Sequence, residues 1–326
     1  MLKIDVHAHY FPLDIIKEFK NKLNFSFNIN SNKIKVIVGK NSWEGSAYNG
    51  FLNEEKLIED LHNSEVDIRI LSLAPISYLY DVDINIALSF YKKFNDKLSE
   101  ISEKSKGKFM GIAGIPLQEP SIAVEELKRA VNDLGLKGVL IGTHILNWNL
   151  DDKKFEEFFQ SVSSLNIPIL IHPQITDIIC SENLRNYYFT NLLGVPIEDT
   201  IAVASLIMSG MIEKYNLRVI VPQGGGFLPY QIGRIDHGYK VRGNSADLNK
   251  IPSDFLKNMY FDNIVFNTKV LEFLINFVGE DHVVLGSDYP FKMGYYKPYE
   301  IIEKIKISEE DKDKIAEKNA RLLFHI

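Results

Sequence analysis

Eight short apolar runs, separated by helical stretches, constrain this chain more than any other feature. They cover residues 2–7, 67–73, 109–115, 137–142, 167–172, 217–222, 259–265 and 282–286. Most are continuous, as in IPILI (167–171) and VVLG (283–286). Such runs mark strands buried on both faces, the state of a parallel sheet covered by helices. The stretches between them carry the 3.6-residue period. Over 120–134, Ala123, Leu127, Ala130, Val131 and Leu134 share one face, with Pro120 suited to the first turn and Gly135 to the stop. Over 152–165 the stripe is Phe155, Phe158, Phe159 and Val162, ended by Asn166 and Pro168. Eight strands alternating with helices predict an α/β fold, a (β/α)₈ TIM barrel, with a doubly wound sheet as the alternative.

The length, 326 residues, suits one barrel domain over 1–326. Residues 24–50 break the rhythm. KIKVIV alternates as a strand does and Gly, Asn and Ser turns follow, which predicts a small β insertion after the first strand. The net charge of −6 (37 basic, 43 acidic residues) lacks the basic face that nucleic acid or an anionic membrane requires. No run approaches the roughly 18 apolar residues of a membrane span. The N-terminus has no long apolar segment of the kind a cleaved signal carries. A cytoplasmic protein is expected. Cys180 is the single cysteine, so no disulfide forms within the chain. Nothing adjacent lowers its pKa, so it reads as a small, partly buried side chain, not a nucleophile.

The histidines gain meaning from strand context. His7 ends the first run and His9 lies two residues on. In extended chain, i and i+2 point to the same side, so the two imidazoles converge. His172 ends the fifth run and Asp288 follows the eighth. Each alone has a plain structural explanation. Together they place three imidazoles and a carboxylate on one rim, at the strand ends where barrel enzymes build their sites. That set suits one divalent ion, Zn²⁺ first, with Mn²⁺, Co²⁺ or Fe²⁺ also accepted. Asp288 is then a candidate for proton transfer as well.

A second constellation, VIVPQGGGFLPYQIGRIDHGY, follows the sixth run. Gly224, Gly225 and Gly226 permit a tight turn, and exposed amides there offer an anion site; a plain strand-to-helix turn is the other reading. Arg234 and Arg242 lie eight apart, on one face of the next helix. They suit a substrate carboxylate, or equally a solvated face or an interface salt bridge. His144 is placed near the mouth and His237 is less certain. His62, His282 and His325 read as surface residues.

These residues, taken in order, resemble the metal-dependent amidohydrolase superfamily, in the branch related to aminocarboxymuconate-semialdehyde decarboxylase. The motifs are DVHAH (5–9), IGTHILNWNLDD (141–152), PILIHP (168–173), QGGGFLPYQIGRIDHGY (223–239), GSDYPF (286–291) and NARLLF (319–324). The resemblance implies a distorted barrel with a small insertion after the first strand. It implies a metal, usually zinc, held by His7, His9, His172 and Asp288. It implies a homodimer in which Arg234, with Arg242 as a second such residue, reaches the neighbouring site. It extends the substrate site to Phe291 in GSDYPF.

Two positions depart from the family. The histidine that precedes GGG is Gln223 here, which can orient a water or hold an oxygen but cannot titrate near neutral pH. An arginine in the helix before the second strand falls at Leu57, beside Lys56. The reaction expected is therefore metal-dependent, non-oxidative decarboxylation of a small unsaturated or aromatic carboxylic acid. The alternative is a hydrolase or hydratase using metal-activated water, with Asp288 taking the proton. A third reading is a metal-binding barrel without catalysis.

Overall fold

The computed structural model describes residues 1–326 except 31, 32, 175–178, 180 and 244, and only the backbone of Ser181. Cys180 lies outside the described residues. All eight apolar runs form strands. The first, Ile4–Tyr10, pairs in parallel with the second, Ile68–Leu73, which pairs with the third at Phe109–Gly111. The third resumes at Ala113–Gly114 and there pairs with the fourth, Val139–Gly142. The fifth (Ile169–His172), sixth (Val219–Val221), seventh (Tyr260–Asp262) and eighth (Val283–Val284) follow in order.

The ring closes where Val6 N donates to Leu285 O at 2.9 Å and Ala8 bridges Tyr289 in parallel. Strands that follow chain order around a ring have no switch point, which removes the doubly wound alternative. The break in the third strand and the two-residue eighth strand make the barrel irregular.

The helices form as their patterns predict. Pro120–Asn132 starts on its proline and buries Ala123, Leu127 and Ala130. Asp152 caps the turn that leads into Glu156–Leu165 by accepting from Lys154 N. Asn166 ends that helix in the left-handed conformation (φ 53°). The insertion is a three-stranded antiparallel sheet of Phe25–Asn30, Lys33–Val38 and Asn41–Gly45. Val36 and Val38 anchor it in the core.

One helix departs from the expectation about membrane-length segments. Thr190–Met208 is long and apolar enough to cross a membrane by length and composition. It is the helix after the fifth strand, and it buries the acidic pair Glu198 and Asp199.

Beneath the mouth lies a buried polar knot. Arg69, fully buried, donates to Asp5 (2.8 Å) and to Ser64 Oγ (2.9 Å) and stacks 4.0 Å from the Tyr289 ring. Asp5 also accepts from the Ser287 amide (3.0 Å) and hydroxyl (2.5 Å). One ion pair thus ties the first, second and eighth strands together directly under the histidines.

Candidate metal centre

The first strand carries one extra residue between the pairs Asp5–Arg69 and Ala8–Leu71, a bulge that includes His7. His7 and His9 are both buried and both aim Nε2 into the mouth, at 3.6 and 3.2 Å from Asp288 Oδ1. His172 Nε2 stands 3.9 Å from the same oxygen. The four ligand atoms lie within 4.8 Å of one another, so the structure brings the whole predicted set together.

Each imidazole is oriented through its other nitrogen. His7 Nδ1 meets Asp262 Oδ2 at 2.7 Å, His9 Nδ1 meets Ser72 Oγ at 2.9 Å, and His172 Nδ1 meets Pro173 O at 2.9 Å. An acceptor at every Nδ1 puts the proton there and frees Nε2 to ligate. The three Nε2 atoms and Asp288 Oδ1 are buried with no hydrogen-bond partner among the described residues. Four orphaned polar atoms converging on one point fit a divalent cation, which would satisfy all of them.

The charges follow the geometry. Burial lowers His9, helped by the charge on His7, and lowers His172 well below the usual histidine value. At His7 burial acts the same way, but the Asp262 hydrogen bond and the nearby carboxylates outweigh it and raise the pKa. Burial raises Asp288. Two histidines held neutral are ready to donate lone pairs.

The ligands open onto a cavity of about 890 Å³, walled by Trp43, Tyr188, Val195 and Phe291, with Gln223 and Asp288 at its floor. Phe291 sits with its ring 5.7 Å from His9 and 5.2 Å from Trp43. The insertion forms one lip, since Tyr48 N donates to Pro290 O and Lys292 N to Ser46 O. Lys33, Arg185 and Lys292 also line the cavity.

Several expected residues fall elsewhere. Gly224 N donates to Asp262 Oδ1, Gly225 N to Pro222 O and Gly226 N to Gln223 O. With these amides used within the chain, Gly224 and Gly225 form no anion cradle. Their need for glycine is steric, because a Cβ would lie 2.4 Å from Val265 Cγ1 and 2.8 Å from the Phe261 ring, respectively. His144 does not line the cavity; its Nδ1 pairs with Glu198 Oε2 at 3.0 Å. Arg234, Arg242 and His237 are exposed on the helix Leu228–Arg242, outside the cavity of their own chain. Leu57 is core and Lys56 pairs at the surface with Glu59, so neither supplies the family's cation. His282 is half-buried against Met259 O, while His62 and His325 are exposed as expected.

Sequence reasoning missed two carboxyls. Asp262, at the end of the seventh strand, holds His7 through one oxygen and the amides of Gly224 and Ile264 through the other. Its signal was available, as YFD at the end of a predicted strand. Asp199, wholly buried on a helix, gave none.

Known proteins resemble this chain. The amidohydrolase family model matches residues 4–326. The 2-amino-3-carboxymuconate-6-semialdehyde decarboxylase of Dictyostelium discoideum is 31% identical over 328 residues, covering 98% of this chain and 90% of the relative. A gamma-resorcylate decarboxylase of a Polaromonas species is 27% identical over 289 residues, covering 84% and 87%. The crystal structure of a Polaromonas dihydroxybenzoic acid decarboxylase, with bound manganese and 2-nitroresorcinol, superposes with TM-score 0.81 at 22% identity over 99% and 97% of the two chains. That last likeness shows the fold. The match over nearly the whole chain shows more, and the protein belongs to the amidohydrolase family.

Proposed function

We propose that this protein is a metal-dependent carboxy-lyase that removes CO₂, without oxidation, from a small unsaturated or aromatic carboxylic acid. The observation that carries the reading is the convergence of three unpartnered imidazole nitrogens and one carboxylate oxygen on the floor of an aromatic-walled cavity. His7, His9, His172 and Asp288 would hold a divalent ion, zinc first and manganese as the neighbour's precedent, which when bound would supply stabilisation of negative charge on the substrate. The chain's own residues do the rest. Trp43 and Phe291 present flat apolar surface to a ring or conjugated chain. Lys33, Arg185 and Lys292 outnumber Glu44 on the rim, a small positive excess suited to an acid, although Lys33 pairs with Glu44 and Arg185 with Glu182, each at 3.7 Å. Gln223 holds an oxygen or a water but moves no proton.

Arg234 and Arg242 enter only if a second copy presents its helix to the mouth, and we place them in a homodimer. Sedimentation that finds a monomer at every concentration removes that role. Gln223 also favours a second reading, hydration or hydrolysis, because addition of water to a metal-activated substrate does not require histidine there. The product separates the two. The metal-loaded chain is mixed with γ-resorcylate and assayed for CO₂; release of CO₂ with no oxygen taken from labelled water supports the carboxy-lyase, and label in the product with no CO₂ supports the hydratase. His7→Ala and Asp288→Ala are expected to abolish both CO₂ release and metal retention. Full metal occupancy in both variants by elemental analysis refutes the ligand assignment.

A further inference from the structure

At about 890 Å³ the cavity lies at the upper end of small-molecule sites, which run from roughly 300 to 1,000 Å³. Volume alone therefore does not choose among small acids. Selection falls to the rigid parts of the wall, and the insertion supplies one of them.

Trp43 and Gly45 lie two apart on the strand Asn41–Gly45, so they share a face. The indole folds back along that face over Gly45. A Cβ at 45 would stand 2.5 Å from Trp43 Cζ2 and 2.9 Å from Trp43 Cε2, so glycine is what leaves room for the ring. Two phenylalanines fix it further. The indole centroid is 5.4 Å from Phe51 and 5.2 Å from Phe291, and those two rings are 5.8 Å apart. Phe51 in turn stacks on buried Phe11 at 4.6 Å. A side chain held this way is already ordered, so contact with it costs a ligand little further entropy.

Trp43, Gly45 and Phe291 all line the cavity, together with the ligands His172 and Asp288. Phe291 also meets His9, ring to ring, at 5.7 Å. An acid whose carboxyl group reaches the ligands thus lays its body along Phe291 and its far side against Trp43. A flat conjugated body gains aromatic pairing there beyond its buried area, and a puckered saturated one of the same size does not.

We propose that Trp43 is the specificity-determining residue of this site, with Gly45 as the spacer that sets how far the indole reaches into the cavity. The pair selects acids whose carboxyl-bearing carbon belongs to a flat conjugated system. The inference rests on the carboxy-lyase reading for its reaction, but binding alone reads it out.

The chain has two tryptophans, and the other, Trp148, is exposed and does not line the cavity. The full-length, metal-loaded Trp148→Phe protein therefore reports Trp43 alone by fluorescence. Benzoate and cyclohexanecarboxylate share a carboxylate and a six-membered ring and differ in flatness. Benzoate should quench Trp43 emission and bind about two- to tenfold more tightly than cyclohexanecarboxylate. By calorimetry, Trp43→Leu should lose that preference and Trp43→Phe should keep part of it, with metal content unchanged in both. Gly45→Ala should shift the Trp43 emission maximum and weaken benzoate binding. The proposal is overturned by an equal preference in the parent and Trp43→Leu, by a preference lost only together with the metal, by bound benzoate that leaves Trp43 emission unchanged, or by no binding of either acid. Parental emission and affinity in Gly45→Ala overturn the spacer. Assay of CO₂ from γ-resorcylate tests the carboxy-lyase reading separately. No release with the preference intact refutes that reading and leaves Trp43 assigned; release with no preference does the reverse.

Discussion

Asp262→Asn is the sharpest perturbation of the metal centre that leaves every ligand in place. The Asp262 carboxylate makes three hydrogen bonds: to His7 Nδ1 at 2.7 Å, to Gly224 N at 2.9 Å and to Ile264 N at 3.1 Å. Asparagine keeps one oxygen, which can go on serving the two amides. Its NH₂ then faces His7 Nδ1, where two donors oppose each other. The ring resolves this by moving its proton to Nε2, the atom that must ligate, or by turning away from the site. Loss of such an orienting carboxylate typically weakens metal binding about 10–100-fold, or ~1.4–2.8 kcal/mol. Competition against a chelator, with circular dichroism to verify the fold, measures it. Ser72→Ala is the control, since it removes a neutral acceptor from His9, together with the hydroxyl's bond to Ala8 O, and should cost less than about tenfold. A metal affinity in Asp262→Asn within about twofold of the parent, with the fold intact, refutes the claim that Asp262 sets the His7 tautomer.

Two further outcomes concern buried charge. Arg69→Met strands Asp5 in the interior beneath the site, and breaking such a pair costs about 3–5 kcal/mol; a loss under about 1 kcal/mol in urea unfolding contradicts the structural role given to the knot. Asp199 has a folded pKa raised above its unfolded value of about 3.9, so its contribution is fully present below that pH and lost as pH rises toward the folded value, by up to ~1.4 kcal/mol per unit. Asp199→Asn does not titrate, so it should gain stability relative to the parent between about pH 4 and pH 7. A stability difference independent of pH in that interval counts against a buried neutral acid.

The parts of this molecule legible in its sequence are those governed by local periodicity. Ile169, Leu170 and Ile171 announce a strand buried on both faces because each must leave water, and Phe155, Phe158 and Phe159 announce a helix for the same reason. The metal set was legible because its members end strands, and a parallel barrel brings all its strand ends to one rim. The roles of Arg234, His144 and the glycines were not, because each depends on which partner the fold presents. His144 looks inward by position yet is claimed by Glu198, 54 residues away. The Gly224 amide looks free and is claimed by Asp262, 38 residues away. Asp199 is the extreme case. Its significance lies in contacts it lacks, and no sequence pattern encodes a missing donor.

Backbone strain shows how the chain turns strand ends into a site. Asp288 (φ 56°) and Gln223 (φ 49°) both occupy the left-handed region that residues other than glycine rarely adopt. Each costs about 1–3 kcal/mol in such a conformation. A strand that simply continued would alternate its side chains across the sheet, and a strand-end residue would face either the barrel interior or the helices. The left-handed turn breaks that alternation. It is locked at Asp288 by the Asp288 amide donating to His7 O at 2.8 Å, and at Gln223 by Gly226 N donating back to the Gln223 carbonyl at 3.1 Å. Glycine at 223 would relieve the strain and would also remove the side chain from the cavity floor. The strained glutamine therefore points to a function for its amide. That function differs from the family's histidine in one respect set by chemistry: the amide can hold an oxygen in place, and the proton must come from elsewhere in the site.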